Sequence, residues 1–394
     1  MLKICMITPN LLPVPNVNGG AIEGLVTNVI KEQEKSKKMD LTVVSIYDKK
    51  ALKESRKYNK TDFIYIKKNI RYAILSCVYK ILNKIFHKNF NTYNHIVLRK
   101  IRNKKFDYII VEGGHYESFK EYLKYFNRDQ MILHLHHQGI SNDTIDQTFS
   151  KLIGVSKFVT NYFSNTTSKI ECKYLNNGIN TNDFDKKISE QEIEILRKKY
   201  NILPDDFVIL FCGRLVEVKG ILELIKAVKC IKQDNIKLLI LGSSSFLNGK
   251  VDSYTMKLKK EILGFEDRIM FTGYVNNWEV YKYYSLASIM CLPSLWEDAA
   301  PLTVIEAMRS KKAVLSTRSG GAPEYLKDTF SVIVDKDKDV VKNLKEGILQ
   351  LYNNRKKLPD MGLLAYERSK QFTSEKYFMN LTKLLEDFKK DENK

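Results

Sequence analysis

The stretch FVILFCGRLVEVKG, residues 207–220, joins an apolar run to a glycine, an arginine and a lysine. It reads as a buried strand from Val208 to Phe211, a tight turn at Gly213 and a helix opening near Gly220. A strand that ends in glycine and leads into a helix suits an anion. The glycine lets the backbone come close, and the helix start offers free N–H groups and partial positive charge. Arg214 adds a planar fork for two phosphate oxygens and Lys219 a point charge. The same residues also suit a surface turn with two solvated cations. Gly19-Gly20, between the apolar run Leu2 to Thr8 and a helical pattern from Ala21 to Glu34, is a second loop of this kind, or a plain turn.

Carboxylates concentrate elsewhere. Glu297 and Asp298 precede a helix from Leu302 to Arg309, and Glu306 lies about one turn inside it. A carboxylate there can accept hydrogen bonds from two neighbouring hydroxyls, as a ribose offers. The N–H groups around Pro301, Leu302 and Thr303 suit a phosphate or a sugar hydroxyl, although Pro301 itself has none to donate. Acids at a helix start also complement the helix dipole. Three of the six histidines, His115, His136 and His137, follow the strand-like runs Phe106 to Val111 and Gln130 to Leu135. Ligands of open parallel sheets sit at such carboxyl ends, which favours a functional His136 over a structural one.

These positions need a scaffold of alternating strands and helices. After the first domain's strands, residues 181–205 are polar, with a helix from Glu190 to Tyr200, and form the link. Beyond it strands at Leu238–Leu241, Ile269–Thr272, Ile289–Leu292, Ala313–Ser316 and Ser331–Val334 alternate with helices, the last being Glu375 to Phe388. The chain of 394 residues fits two domains, and the alternation implies two parallel sheets. There is no G-x-G-x-x-G and no G-K-[ST], against a dinucleotide fold and a P-loop. Asp335-Lys336-Asp337 looks like D-x-D but follows the last strand as a solvated turn.

Hydrophobic content of 44% supports globular cores, and no apolar run is long enough to cross a membrane. Met1 to Thr8 reads as a first strand rather than a signal peptide. The six cysteines are scattered without a C-x-x-C pair, as reduced core residues of a cytosolic protein. Net charge is +19, with 29 basic against 15 acidic residues in residues 1–180 and 36 against 31 in the rest. Lys67 to Lys105 holds eleven Lys/Arg and no acid. Inside it Ile74, Val78, Ile81, Leu82 and Ile85 recur at helical spacing, with Lys80, Lys84 and Lys88 on another face. That pattern fits an interfacial helix on an anionic membrane, or a helix packed on a sheet with a solvated basic face. No nucleic-acid-binding module signature is present.

Several of these motifs, in this order, resemble those of the family 4 retaining glycosyltransferases. They are Gly19-Gly20, His136, Ser156, Asn177-Gly178-Ile179, Gly213-Arg214-Leu215 with Lys219, Pro293-Ser294 through Glu306-Ala307-Met308, and Gly320-Gly321-Ala322-Pro323-Glu324. The resemblance covers nearly the whole chain and is nearest to glycosyltransferases of spore-coat and cell-surface polysaccharides. It departs at one place. The family's E-x7-E is here Asp298-x7-Glu306, or Glu297-x8-Glu306, and its usual G-F-G is Ala299-Ala300-Pro301.

The resemblance implies a GT-B fold, two Rossmann-like domains facing a central cleft. These would be an acceptor domain at 1–185, a nucleotide-sugar domain at 186–372, and a helix at 373–394 crossing back to the first. It implies transfer of a sugar from a nucleotide-diphosphate sugar, a UDP-sugar by preference, to a cell-surface glycan or lipid-linked acceptor with retention. Arg214, Lys219 and the Gly19-Gly20 backbone would hold the diphosphate, Glu306 the ribose, and Pro301, Leu302 and Thr303 would line the donor site. His136, Asp298 and Glu297 would act at the donor sugar, and Tyr274-Val275 near the base. No metal or other cofactor is implied. The expected place is the cytoplasm, on the inner face of the cell membrane if Lys67–Lys105 binds it. A non-catalytic sugar-nucleotide or polyanion binder on the same fold is the alternative.

Overall fold

The structure is a computed structural model that describes residues 1–87, 89–243 and 252–392. The chain forms two compact units, Met1–Gly178 with Ser374–Lys394, and Ile179–Thr373.

The first unit is built on a seven-stranded sheet of β1 (Lys3–Ile7), β2 (Asp40–Ile46), β3 (Thr61–Ile66), β4 (Tyr108–Val111), β5 (Met131–Leu135), β6 (Lys151–Gly154) and β7 (Glu171–Tyr174). Their order is β3-β2-β1-β4-β5-β6-β7 and every neighbouring pair is parallel. Its helices are α1 (Ala21–Ser36), α2 (Lys49–Ser55), α3 (Ile70–Phe86), α4 (Thr92–Ile101), α5 (Asp143–Thr148) and α6 (Lys157–Ser164).

The second unit carries α7 (Glu190–Lys199), α8 (Ile221–Lys229), α9 (Ser253–Glu261), α10 (Val280–Leu286), α11 (Leu302–Arg309), α12 (Ala322–Tyr325), α13 (Val340–Asn353) and α14 (Leu358–Ser369). They surround β8 (Phe207–Cys212), β9 (Ile236–Leu241), β10 (Ile269–Gly273), β11 (Ile289–Leu292), β12 (Ala313–Thr317) and β13 (Ser331–Val334). The sheet order is β10-β9-β8-β11-β12-β13, again all parallel. The final helix α15 (Ser374–Asp391) returns to the first unit, where Tyr377, Phe378, Leu381, Leu385 and Phe388 join the core behind β1 and α1.

Both sheets read as continuous apolar runs because helices cover both faces. In each sheet the first strand has a neighbour on either side, β1 between β2 and β4, β8 between β9 and β11. The strand order reverses there, so the loops after β1 and β4 border a crevice of the first sheet, and those after β8 and β11 a crevice of the second.

The unit boundary falls at 178/179 rather than 185/186. Ile179 N–H donates to Phe372 O at 2.9 Å, Phe184 packs edge-on to Tyr284, and Arg309 clasps both carboxylate oxygens of Asp185. Residues 179–185 are thereby tied to the second unit. The sequence reading also passes over α2, α4 and α14. α14 opens with Pro359 in its first turn, where a missing N–H costs nothing, although proline reads as a breaker.

Candidate active site

In the second unit, Gly213 ends β8 with φ 158°, an extended conformation, and its N–H donates to Leu241 O. The chain then makes a short 3-10 turn, Glu217–Lys219, before α8. Gly220 joins the two at φ 68°, and a Cβ there would stand 1.9 Å from Pro293 O. Only glycine lets the β8 loop come this near the loop after β11. Leu295 N–H donates to Val218 O across the same approach. Arg214 is exposed, and among the described residues no ion pair holds it.

Lys219 is held. Its ammonium donates to both oxygens of Asp298, at 2.6 and 2.9 Å. Asp298 is buried and also accepts from Ser294 Oγ and from Trp296 Nε1 at 2.9 Å. Burial would raise its carboxyl, but the Lys219 charge and these donors outweigh it and hold the group below its ordinary value. Asp298 is therefore tied to Lys219 in this arrangement, a contact the sequence reading did not anticipate. Glu297 is engaged as well: it pairs with Lys336 at 2.6 Å and accepts from Gly320 N–H. The reason lies in the next turn. Gly320 has φ 48° and no space for a Cβ beside Asp298 O, so the 320–321 backbone packs directly on the 297–298 loop.

Glu306 lies on the second turn of α11, half-buried, and accepts from Tyr284 Oη at 3.0 Å. Desolvation raises its carboxyl to about 7; the Tyr284 hydrogen bond works against this and Asp183 with it. Its carboxylate is also close enough to the end of β8 to raise the Cys212 thiol, after burial itself. Glu306 thus stands beside the strand that ends in Gly213-Arg214. Leu302 and Thr303 form the first turn of α11, where N–H groups have no intrahelical acceptor. Pro301 is the cap residue. Its carbonyl accepts from Val304 and it has no N–H, so it contributes no donor to a ligand. Past β10, Tyr274 and Val275 line a cavity of about 420 Å³ with Glu192, Lys199 and Lys282.

In the first unit, Gly19 and Gly20 have φ of 88° and 100° and precede α1, as the sequence implies. A residue the sequence reading missed sits with them. Buried Glu23 lies so near Gly20 that a Cβ there would be 2.1 Å from Glu23 Oε2. Burial raises its carboxyl, against a hydrogen bond from its own backbone. The start of α1 therefore already faces an acid, which weakens this loop as an anion cradle.

His136 follows β5, and one carboxylate organises it. Glu112 Oε2 lies 2.9 Å from His136 Nε2 and 2.7 Å from His134 Nδ1. Burial would raise Glu112, yet the His134 ring and hydrogen bonds from both imidazoles bring it down to about 2. His136 is lowered to about 4, by burial first and the adjacent His134 next, against the pull of Glu112. A neutral His136 then donates from Nε2 to Glu112, and its Nδ1 carries the lone pair. Glu112, His134 and His136 are the described residues whose ligand-type atoms lie close enough together to hold a metal. Both nitrogens are at hydrogen-bond distance from one oxygen, an arrangement that two N–H donors satisfy without an ion. Burial also lowers His137, whose ring stacks on Tyr116.

His115 lies apart from this triad. With Asn10, Tyr72, Tyr79, Asn83 and Glu117 it lines a second cavity, of about 350 Å³. Neither Glu112 nor this cavity is legible in sequence. The one available signal for Glu112 is its place at the end of β4, next to a strand that ends in histidine.

Comparison with known proteins gives a consistent result. The family of glycosyl transferases group 1 matches residues 192–368. An uncharacterized glycosyltransferase of Methanocaldococcus jannaschii is 33% identical over 170 residues, 43% of this chain and 41% of its own length. The chain thus spans less than half of that relative. Spore coat protein SA of Bacillus subtilis is 22% identical over 92% of this chain and 93% of its own. The crystal structure of Anabaena HepE in complex with UDP superposes with a TM-score of 0.75, covering 98% of this chain and 100% of that one at 17% identity. The two parallel-sheet units are those of the GT-B fold.

Proposed function

We propose that this chain, whose residues 192–368 match the group 1 glycosyltransferases, transfers a sugar, with retention, from a nucleotide-diphosphate sugar to a cell-envelope glycan or lipid-linked acceptor. The observation that carries the reading is that Lys219, in the loop after β8, pairs with Asp298 just before α11, while Glu306 of α11 stands beside Cys212, two residues before Arg214. UDP in the HepE crystal structure makes a UDP-sugar the first donor to test.

In this reading Arg214 and Lys219 face the diphosphate and stabilise the negative charge that grows as the bond to the sugar breaks. Asp298 acts through Lys219, holding the ammonium in place before the donor arrives. The first-turn N–H groups of Leu302 and Thr303 add donors for phosphate or sugar oxygens. Glu306 accepts the two ribose hydroxyls in its ionised form. Tyr274 and Val275 lie beside the base. Neutral His136, fixed by Glu112, accepts a hydroxyl of the donor sugar through Nδ1. The cavity lined by Asn10, Tyr72, Tyr79 and Asn83 offers amides and aromatic rings, the groups that hold sugars, and takes the acceptor. Two cations and backbone donors serve the diphosphate, so the reaction runs without metal. The place of action is the inner face of the cell membrane.

The test is a panel of UDP-, GDP- and ADP-sugars, read as release of nucleoside diphosphate and as transfer to envelope lipids or glycans. One donor turned over, with its anomeric configuration kept in the product, is the expected result. Binding of a nucleotide sugar without hydrolysis or transfer would mark a non-catalytic binder, and an inverted product would overturn retention.

A further inference from the structure

Helix α3 is inside out. Tyr72, Leu75, Ser76, Tyr79, Leu82 and Asn83 recur three and four apart and are the positions turned toward the protein. Tyr79 stacks on Phe90 with ring centres 5.2 Å apart and meets His95 edge-on. The Asn83 amide brackets Phe90, donating to its carbonyl and accepting from its N–H. This inward face mixes two leucines with the polar-tipped Tyr72, Ser76, Tyr79 and Asn83. The opposite face carries Ile70, Ile74, Val78, Ile81 and Ile85, exposed by 79, 60, 43, 59 and 60%. At 100° per residue these five fall on one narrow stripe. None of the 17 residues of α3 is buried. A helix on a water-soluble surface turns its apolar stripe inward; this one presents five branched aliphatic side chains to the outside.

The charge around the stripe selects what covers it. Arg71 and Lys84 flank it on either side, and no acid occurs from Lys67 to Lys105. Lys88 of the sequence reading lies outside the described residues. A second copy of the chain seated on the stripe would set these cations against their own kind. An anionic lipid surface satisfies both features, since acyl chains take the aliphatic stripe while the long basic side chains reach the phosphates. Among the described residues no helix is long and apolar enough to cross a membrane, so the contact would be interfacial.

We propose that α3 docks this chain on an anionic lipid interface, with Ile70, Ile74, Val78, Ile81 and Ile85 entering the headgroup–acyl boundary. Docking stands on the helix alone. Its consequence for the acceptor rests on the transferase reading above: the inward face of the same helix lines the acceptor cavity, so an acceptor carried on a lipid meets that cavity at the interface.

The experiment is flotation of the full chain with phosphatidylcholine vesicles, with and without phosphatidylglycerol. The chain is expected to float with the anionic vesicles and to stay in solution with the neutral ones. I74S/I81S/I85S should lower partitioning by about tenfold or more, and R71E/K84E should abolish the preference for anionic lipid. In I81W, tryptophan emission should shift to the blue on anionic vesicles. Melting temperature and its rise with donor should match wild type in every variant, so failure to dock is separable from failure to bind donor. Absent flotation of wild type, undiminished flotation of the triple variant, or a wild-type dimer that the triple variant dissociates would overturn the proposal.

Discussion

Replacing Glu306 by glutamine separates two roles of one side chain. Its carboxyl rises from an ordinary 4.5 to about 7, mainly because burial disfavours its charge. The folded state therefore holds this proton more tightly than the unfolded chain. Below about pH 4.5 the group is neutral in both states and costs nothing. Between 4.5 and 7 the cost of ionising it in place grows, and above 7 it is present in full. At about 1.4 kcal/mol per pH unit the full cost is about 3 kcal/mol as an upper bound. Glutamine carries no charge and can still accept from Tyr284. For a unit of this size 1 kcal/mol is worth roughly 2–4 °C. E306Q should thus gain several degrees on wild type between pH 5 and pH 8, followed by thermal unfolding across that range. Donor binding should move the other way. If Glu306 accepts the two ribose hydroxyls as proposed, trading its carboxylate for an amide costs roughly 1.5–3 kcal/mol, about ten- to a hundredfold in affinity. Wild-type affinity should also rise as pH passes through about 7. A melting difference that ignores pH, or unchanged donor affinity in E306Q, would refute the reasoning.

The other sites make sharper demands on single contacts. D298N should free the Lys219 ammonium and lower stability by about 1–3 kcal/mol, seen in chemical denaturation, while weakening donor binding. E112Q keeps one oxygen for both imidazole N–H groups but removes the charge that fixes them, so transfer should fall about tenfold or more while donor affinity changes little. Glu112's stabilising share is present above its unfolded value near 4.5 and is lost as pH falls toward about 2, so wild type should lose stability over that acid range and E112Q much less. Excess EDTA should leave the transfer rate unchanged, and restoration by an added divalent ion would contradict the metal-independent reading.

How much of this was legible in sequence follows from which signals are local. The β8–Gly213–Arg214 turn and Gly19-Gly20 could be read because apolar runs, glycines and helix starts lie in consecutive residues. α15 was expected to return to the first unit, and its apolar side lies in that core. What was missed depends on contacts between distant segments. The pairing of Asp298 with Lys219 joins positions 79 residues apart, which no local motif marks. Glu23 and Glu112 carry no motif; burial and a facing group give them meaning. α3 shows the same limit from the other side. Its periodicity was plain, but periodicity cannot tell which face meets the protein, and here the packed face is the more polar one.

The central claim is that the junction of β8 and α11 holds the donor diphosphate and ribose. Calorimetric titration of the turned-over nucleotide sugar into wild type, R214A and E306Q tests it most directly. The account predicts saturable one-site binding in wild type, weakened about tenfold or more in each variant, with R214A melting like wild type because Arg214 is exposed. Equal affinity in all three would contradict it.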